Sequence, residues 1–169
     1  MANELDRLSA LRAAYAGLER PVEAGAPWPL AEMFGAEPEA AWGPRELLAH
    51  VAEMLPFWLG ELEKVVEGAT DGSAVPFGRV ATDAVRIGLI ERDRTLPLRV
   101  LFGRIDAGIR AWSERLETLT DEERARVGRH PKLGEMSPPA FLERFILGHA
   151  EEHVVQLEGI IAAGPRDSA

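Results

Sequence analysis

His149 and His153 stand four residues apart in "FILGHAEEHVVQLEGII", residues 145–161, a stretch that reads as a buried helix. Neutral imidazoles ligate divalent metals and exchange protons near neutral pH, so two on one helix face raise both chemistries. With His149 as zero and about 100° per residue, His153 lies at about 40° and Gln156 at about −20°. Leu142, Phe145, Ile146 and Ile160 fall between about −40° and 60° on the same wheel. The pair is therefore embedded in the apolar stripe. Glu151 falls about 200° away, on the solvent side, and Glu152 sits at the border near about −60°. The zinc-peptidase pattern H-E-x-x-H needs a glutamate directly after the first histidine. Ala150 occupies that position, which excludes the pattern on spacing.

An i, i+4 pair on an apolar face also fits two core histidines bonded to their neighbours. A third imidazole would shift the balance, because three histidines with one open position form a known catalytic metal geometry. His50 is the candidate. On its helix Phe57, Glu61, Met54 and Leu47 lie within about 60° of it, so it borders the apolar stripe and can point inward. Alone it would read equally as a half-buried histidine. His130 precedes Pro131 in a polar segment and is expected at the surface. Gln156 could bond a metal ligand or a neighbouring helix. Trp58 and Trp112, with Phe57, could wall a pocket but fit the core first. The acidic stretches around Glu39 ("EPEAAW") and "TDEERAR" read as solvated turns.

These residues need helices to position them. Leu5, Leu8, Leu11, Tyr15 and Leu18 recur at helical spacing, and Pro21 is expected to close that helix. Residues 21–43 form a Pro-rich connector carrying Trp28, Phe34 and Trp42. A second helix opens with Gly43 as cap and Pro44 in its first turn, and carries an apolar stripe from Leu47 to Val65. Pro56 lies inside it and predicts a kink. After the loop "GATDGSAVPFG", a shorter helix is expected over Arg79–Arg94. A long helix follows, with Leu98, Leu101, Ile105, Ile109, Trp112, Leu116 and Leu119 on one face. The last helix starts at "SPPAF", with Ser137 as cap, and runs to Gly164. No stretch alternates at period two. The expectation is an all-α four-helix bundle with an extra short helix before the third long one, spanning residues 1–164, then a polar tail over 165–169.

The composition narrows the function. The 169 residues carry a net charge of −9 and no Lys/Arg cluster, which disfavours nucleic acid as a partner. Of 19 basic residues 17 are arginine, read as a coding bias. Cysteine is absent, which removes disulfides, thiolate ligands and a cysteine nucleophile. The start "MANELDRL" lacks the basic and apolar regions of a signal peptide, and no apolar run reaches the roughly 18 residues needed to span a bilayer. A cytoplasmic protein is the expectation.

Two segments carry a resemblance. "WGPRELLAHVAE", and "RHPKLGEMSPPAFLERFILGHAEEHVVQLEGI" near the C-terminus, resemble the DinB-like superfamily of the YfiT type. The first matches that family's Trp, short gap, Leu-Leu-x-His pattern. The second matches its His-Pro-x-x-Gly turn followed by His-x-x-x-His-x-x-Gln-Leu. The resemblance implies a four-helix bundle with a divalent metal on three histidines, mapped here onto His50, His149 and His153. Zinc is the first expectation and nickel the second. Related members include mycothiol-dependent maleylpyruvate isomerase and bacillithiol S-transferases, which activate a low-molecular-weight thiol on the metal. A thiol transferase is thus the leading functional expectation. The alternatives are a hydrolase using metal-bound hydroxide, with Glu53, Glu61 or Glu152 as general base, and a metal-stabilised bundle that binds a ligand or partner without catalysis. The substrate is a small molecule that no residue identifies, and a homodimer is expected.

Overall fold

The computed structural model describes residues 2–33, 38–68 and 71–165. Phe34 of the connector, Ala69 and Thr70 of the following loop, and residues 166–169 of the tail lie outside the described residues. In chain order the elements are α1 (Ala2–Ala24), α2 (Pro38–Ala41), α3 (Pro44–Glu67), β1 (Val75–Pro76), α4 (Ala84–Asp93), α5 (Leu98–Thr118) and α6 (Asp121–Arg124). They continue with β2 (Gly128–His130), β3 (Gly134–Met136), α7 (Pro138–Leu142), a π-helical turn over Glu143–Leu147, and α8 (Gly148–Ala163).

Four long helical stretches form the bundle. α1 and α3 each pack against both α5 and α8, which closes the ring. Leu8, Leu11 and Tyr15 meet Leu47, Val51, Leu55, Leu101, Ile105, Trp112, Ile146 and Leu157 in a core that excludes water. Burying each large aliphatic side chain contributes about 1.5–3 kcal/mol, so this face sets the helix registers. α5 comes close to α3 at Gly108, where a Cβ would stand 2.8 Å from the Leu55 Cβ. One turn on, the Trp112 indole donates to the Leu55 carbonyl at 2.9 Å. That bond fixes α5 against α3 both along and around its axis.

The helix ends depart from the expected ones in physically simple ways. Pro21 does not close α1, which runs to Ala24. A proline this near the end removes only one backbone donor, so the helix tolerates it for another turn. α3 runs through Pro56 without a break, starting from Gly43 and Pro44 as expected. The short helix begins at Ala84 and not near Arg79, because the Asp83 carboxylate accepts from the Arg86 amide at 2.9 Å and caps it there. The acidic turns "EPEAAW" and "TDEERAR" each contain a four-residue helix, α2 and α6.

The expected four-helix bundle is joined by a small sheet. β1 lies parallel to β2, with Val75 opposite Gly128, and β2 lies antiparallel to β3, with His130 opposite Gly134. Strands of two and three residues are too short for alternation to be visible in sequence. Gly134, at φ +79°, makes the turn that returns β3 onto β2. Among the described residues no helix is long and apolar enough to cross a membrane.

The connector before α3 is tied down by one buried ion pair. Glu46 has no solvent exposure, and its carboxylate accepts from the amides of Ala31 (3.0 Å) and Gly43 (3.2 Å) and from Arg94 Nη1 (3.1 Å). Arg94 also donates to the Ala31 carbonyl at 2.7 Å, so the connector, α3 and the end of α4 share one polar knot. Removing one partner of such a pair leaves a buried charge only partly compensated. Arg94→Met is expected to destabilise the fold by about 3 kcal/mol, near the lower end of that range because two amide bonds to Glu46 remain. Urea unfolding midpoints of the two proteins measure it, and a loss well under about 1 kcal/mol would mean the amides alone satisfy Glu46.

Candidate metal centre

The three histidines selected from the sequence meet at one place. His50 Nε2 and His149 Nε2 are 3.0 Å apart, and His149 Nε2 and His153 Nε2 are 3.2 Å apart. Ligands about 2.0–2.1 Å from a tetrahedral zinc ion stand about 3.3 Å from one another. Both pairs are thus within a few tenths of an ångström of ligating spacing. His50 comes from the second turn of α3, and the other two from successive turns of α8. The π-helical turn ends at Gly148, immediately before His149, and the Gly148 amide bonds back to the Glu143 carbonyl. A Cβ at position 148 would lie 3.1 Å from that carbonyl oxygen, a tight contact beside the ligand candidate. The extra residue per turn there shifts Phe145 and Ile146 from the angles that an ideal helix gives.

The ring nitrogens are in the right protonation form to bind a cation. Burial pushes the His50 imidazole well below its ordinary value, and the charges of Arg86, His153, His149 and Arg79 add to the effect. Burial likewise lowers His149, opposed by Glu39 and helped by Arg86 and Arg144. His153 is held down at about 4, by burial first and then by His149. All are neutral at pH 7, the form that offers a lone pair to a metal.

Gln156 fixes the tautomer of His153. Its amide nitrogen donates to the Glu39 carbonyl at 2.7 Å, which turns its oxygen toward His153 Nδ1 at 3.1 Å. An amide oxygen only accepts, so Nδ1 carries the proton and Nε2 presents its lone pair to the centre. Gln156 therefore does both things expected of it as alternatives, touching a ligand candidate and a neighbouring element at once.

One member of the cluster was missed in the sequence. The Glu39 carboxylate lies close enough that one of its oxygens and a nitrogen from each of the three histidines all fall within 4.8 Å of one another. Its Oε1 is 3.8 Å from His50 Nε2 and is held by Arg86 Nη2 in a short contact. Arg86 is almost fully buried, donates from Nη1 to the Ala81 carbonyl at 2.8 Å, and lies 3.3 Å from His50 Nδ1. The acid-rich stretch around Glu39 gave no hint of this, because the link runs through tertiary packing of α2 over the centre.

The three glutamates weighed as general bases fare differently. Glu53 is buried in a bidentate pair with Arg79, at 2.7 and 2.5 Å. Glu61 accepts from the Gly78 amide at 2.5 Å and from Lys64. Both therefore fasten the segment after β1 to α3. Glu152 alone stays near, with Oε2 3.8 Å from His149 Nδ1 on an exposed side chain. Glu151 points away, as the helical wheel requires, and chelates Arg7 at 2.7 and 2.8 Å.

A cavity of about 600 Å³ opens over His50 and His149. Trp58, Phe145 and Leu133 line its apolar side, and Arg79, Arg86, Lys132 and Arg144 bring cations to its wall. The Trp58 and Phe145 rings stack at 4.1 Å, while Trp112 is wholly in the core and Phe57 lies beneath the Arg79 guanidinium.

His130 is the main correction. It is buried, at 4% exposure, where a surface position was expected. Its Nδ1 accepts from the amides of Lys132 and Leu133, both at 3.2 Å, and its Nε2 donates to the Arg79 carbonyl at 3.0 Å. It joins the β2–β3 turn to the segment after β1 and lies in the cavity wall, outside the cluster of the other three.

Comparison with known proteins bears on the fold. The family model of the DinB superfamily matches residues 7–157. A solved structure of YfiT from Bacillus subtilis, described as a probable metal-dependent hydrolase with an unusual four-helix bundle topology, is similar with a TM-score of 0.69. Identity is 16%, and the match covers 95% of this chain and 86% of that one. At that identity the likeness establishes the fold. No curated protein matches the sequence.

His130→Ala strips acceptors from two amides and a donor from one carbonyl in a buried turn. It should destabilise the protein by about 1–3 kcal/mol, the usual cost of a buried group left unpaired. Chemical denaturation measures this, and an unchanged midpoint would show that water replaces the ring without loss.

Proposed function

The chain belongs to the DinB superfamily, and from that premise we propose that His50, His149 and His153 hold one divalent metal ion in a transferase that presents a small thiol to an electrophile. The observation that carries the reading is the convergence of three neutral imidazoles, with His149 Nε2 3.0 and 3.2 Å from the other two and both His50 and His149 lining an open cavity. Imidazole donors suit zinc first and nickel second. The ion would supply Lewis acidity, keeping a bound small thiol as its thiolate at neutral pH.

The protein's own residues do the rest. Gln156 holds the His153 ring in its ligating tautomer, and burial keeps the other two rings neutral. The stacked Trp58 and Phe145 offer an apolar wall for the electrophile. Lys132 and Arg144, both exposed at the mouth, can receive an anionic group. With no cysteine in the chain, the nucleophile has to come with the cosubstrate.

A hydrolase is the second reading, supported by the description of YfiT. Of the glutamates weighed as its general base, Glu53 and Glu61 are committed to Arg79 and Gly78, which leaves Glu152. The weaker supply of a base favours the thiol reading.

Zinc- or nickel-loaded protein should catalyse thiol conjugation to an aryl halide at a rate that depends on added 2-mercaptoethanol. His149→Ala should lose both the bound metal and that rate. Turnover of an activated ester without thiol, lost in Glu152→Gln, would instead select the hydrolase. The metal also joins α3 to α8, so at 100 times its dissociation constant it should add about 2.7 kcal/mol of stability. A chelator should then lower the wild-type melting temperature and leave His149→Ala nearly unaffected. Equal sensitivity in the two proteins, or none in either, would remove the metal from this account.

A further inference from the structure

We infer that Glu39 is a removable fourth ligand of this centre and that Arg86 competes with the ion for its carboxylate. The inference rests on the metal reading above. It concerns what controls the open position, which neither the three histidines nor the cavity determines.

Glu39 stands just outside ligating distance. Its Oε1 is 3.8 Å from His50 Nε2, whereas ligands of one tetrahedral ion stand about 3.3 Å apart. The same oxygen, Oε1, is the one Arg86 holds. One carboxylate oxygen cannot give its full charge both to a guanidinium and to a divalent ion, so the two cations compete for it. The backbone of Glu39 is meanwhile pinned, because Gln156 donates to its carbonyl at 2.7 Å. The side chain can therefore exchange partners by rotation alone, without moving α2. Its exposure, 28%, leaves room for that rotation.

Arg86 is placed to take the carboxylate back. It is 5% exposed, and Ala81 anchors its other nitrogen, so the guanidinium stays beside the centre when Glu39 leaves. It also lies 3.3 Å from His50 Nδ1. A guanidinium only donates, so this position opposes the Nδ1 proton that His50 carries when it ligates through Nε2. The arrangement in the structure is the Arg86-paired one. With the ion present, Glu39 swings onto it and caps the open position. An incoming anionic ligand such as a thiolate displaces the carboxylate, which returns to Arg86. One ligand bond breaks as another forms, and no electron or proton moves between Glu39 and Arg86.

The test is a double-mutant cycle on zinc affinity, read by competition with a chromophoric chelator on the full chain. Glu39→Gln should weaken zinc binding by about 10-fold or more. Arg86→Met should strengthen it by about 10-fold, and that gain should shrink at least about threefold in the Glu39→Gln background. Cobalt-loaded Glu39→Gln should bind 2-mercaptoethanol more tightly than wild type, seen in the visible absorption of the cobalt. If Arg86→Met does not fold, Arg86→Gln takes its place in the cycle. An equal gain in both backgrounds would mean that Arg86 acts only through its charge, and would overturn the inference. So would unchanged zinc affinity in Glu39→Gln. Wild-type protein that binds no zinc or nickel would be a different result, because it would take the metal reading itself away.

Discussion

The Nε2 atoms of His50 and His153 each meet that of His149, at 3.0 and 3.2 Å, although His50 comes from α3 and the other two from α8. A slip of one residue along either helix moves a side chain about 1.5 Å and turns it by about 100°, which would separate the rings. The register of α3 against α8 is therefore the constraint on which the rest of the structure depends. Neither helix sets it alone. The core face shared with α1 and α5 fixes both, and contacts such as Trp112 on the Leu55 carbonyl and Tyr15 on the Ala150 carbonyl pin the two helices to their opposite neighbours. The π-helical turn ahead of Gly148 belongs to the same adjustment, since it changes the phase of the last helix directly before the pair.

Meeting that constraint puts polar groups where water does not reach. Glu46, Glu53, Glu61, Arg86 and His130 are all buried, and each has a partner. The partners share a pattern. Glu46, Glu53 and Glu61 each tie a segment outside the four long helices back to the bundle, while Arg86 and His130 bond such segments to one another. Glu46 holds the connector, Glu53 and Glu61 hold the segment after β1, and His130 holds the β2–β3 turn. Buried ion pairs add little net stability compared with apolar replacements. Their effect here is positional, because they hold these segments in one place against the bundle.

The division between what the sequence disclosed and what it hid follows from this. The long helices were legible, since apolar residues at three- and four-residue spacing over twenty residues leave a strong periodic trace. His149 and His153 could be placed on a common face from spacing alone, and His50 on an inward edge. What spacing cannot carry is a contact between short segments distant in the chain. Glu39 lies in a four-residue helix amid acidic residues, and only the packing of α2 brings it to His50. His130 sits before a proline in a polar stretch, and its burial comes from a three-strand sheet whose strands have two or three residues. The roles of Glu53 and Glu61 were hidden for the same reason, because their partners, Arg79 and the Gly78 amide, belong to a loop.

The centre therefore has two parts of different origin. Its base is the histidine trio, held on α3 and α8 of the bundle. Its wall is assembled from α2, the segment Gly78–Arg86, the β2–β3 turn and the π-helical turn, each held by a few polar contacts. A molecule entering the cavity meets the wall before it meets the base. The cations Lys132 and Arg144 and the rings of Trp58 and Phe145 all lie on that side. A change in one wall segment can alter what enters the cavity while the ring nitrogens keep their spacing, because the segment and the helices are stabilised by different interactions. Arg86 and Gln156 couple the two parts, Arg86 by standing 3.3 Å from His50 Nδ1. Gln156 bonds His153 of the base and the carbonyl of Glu39 in the wall, so whatever moves α2 is felt at the His153 ring.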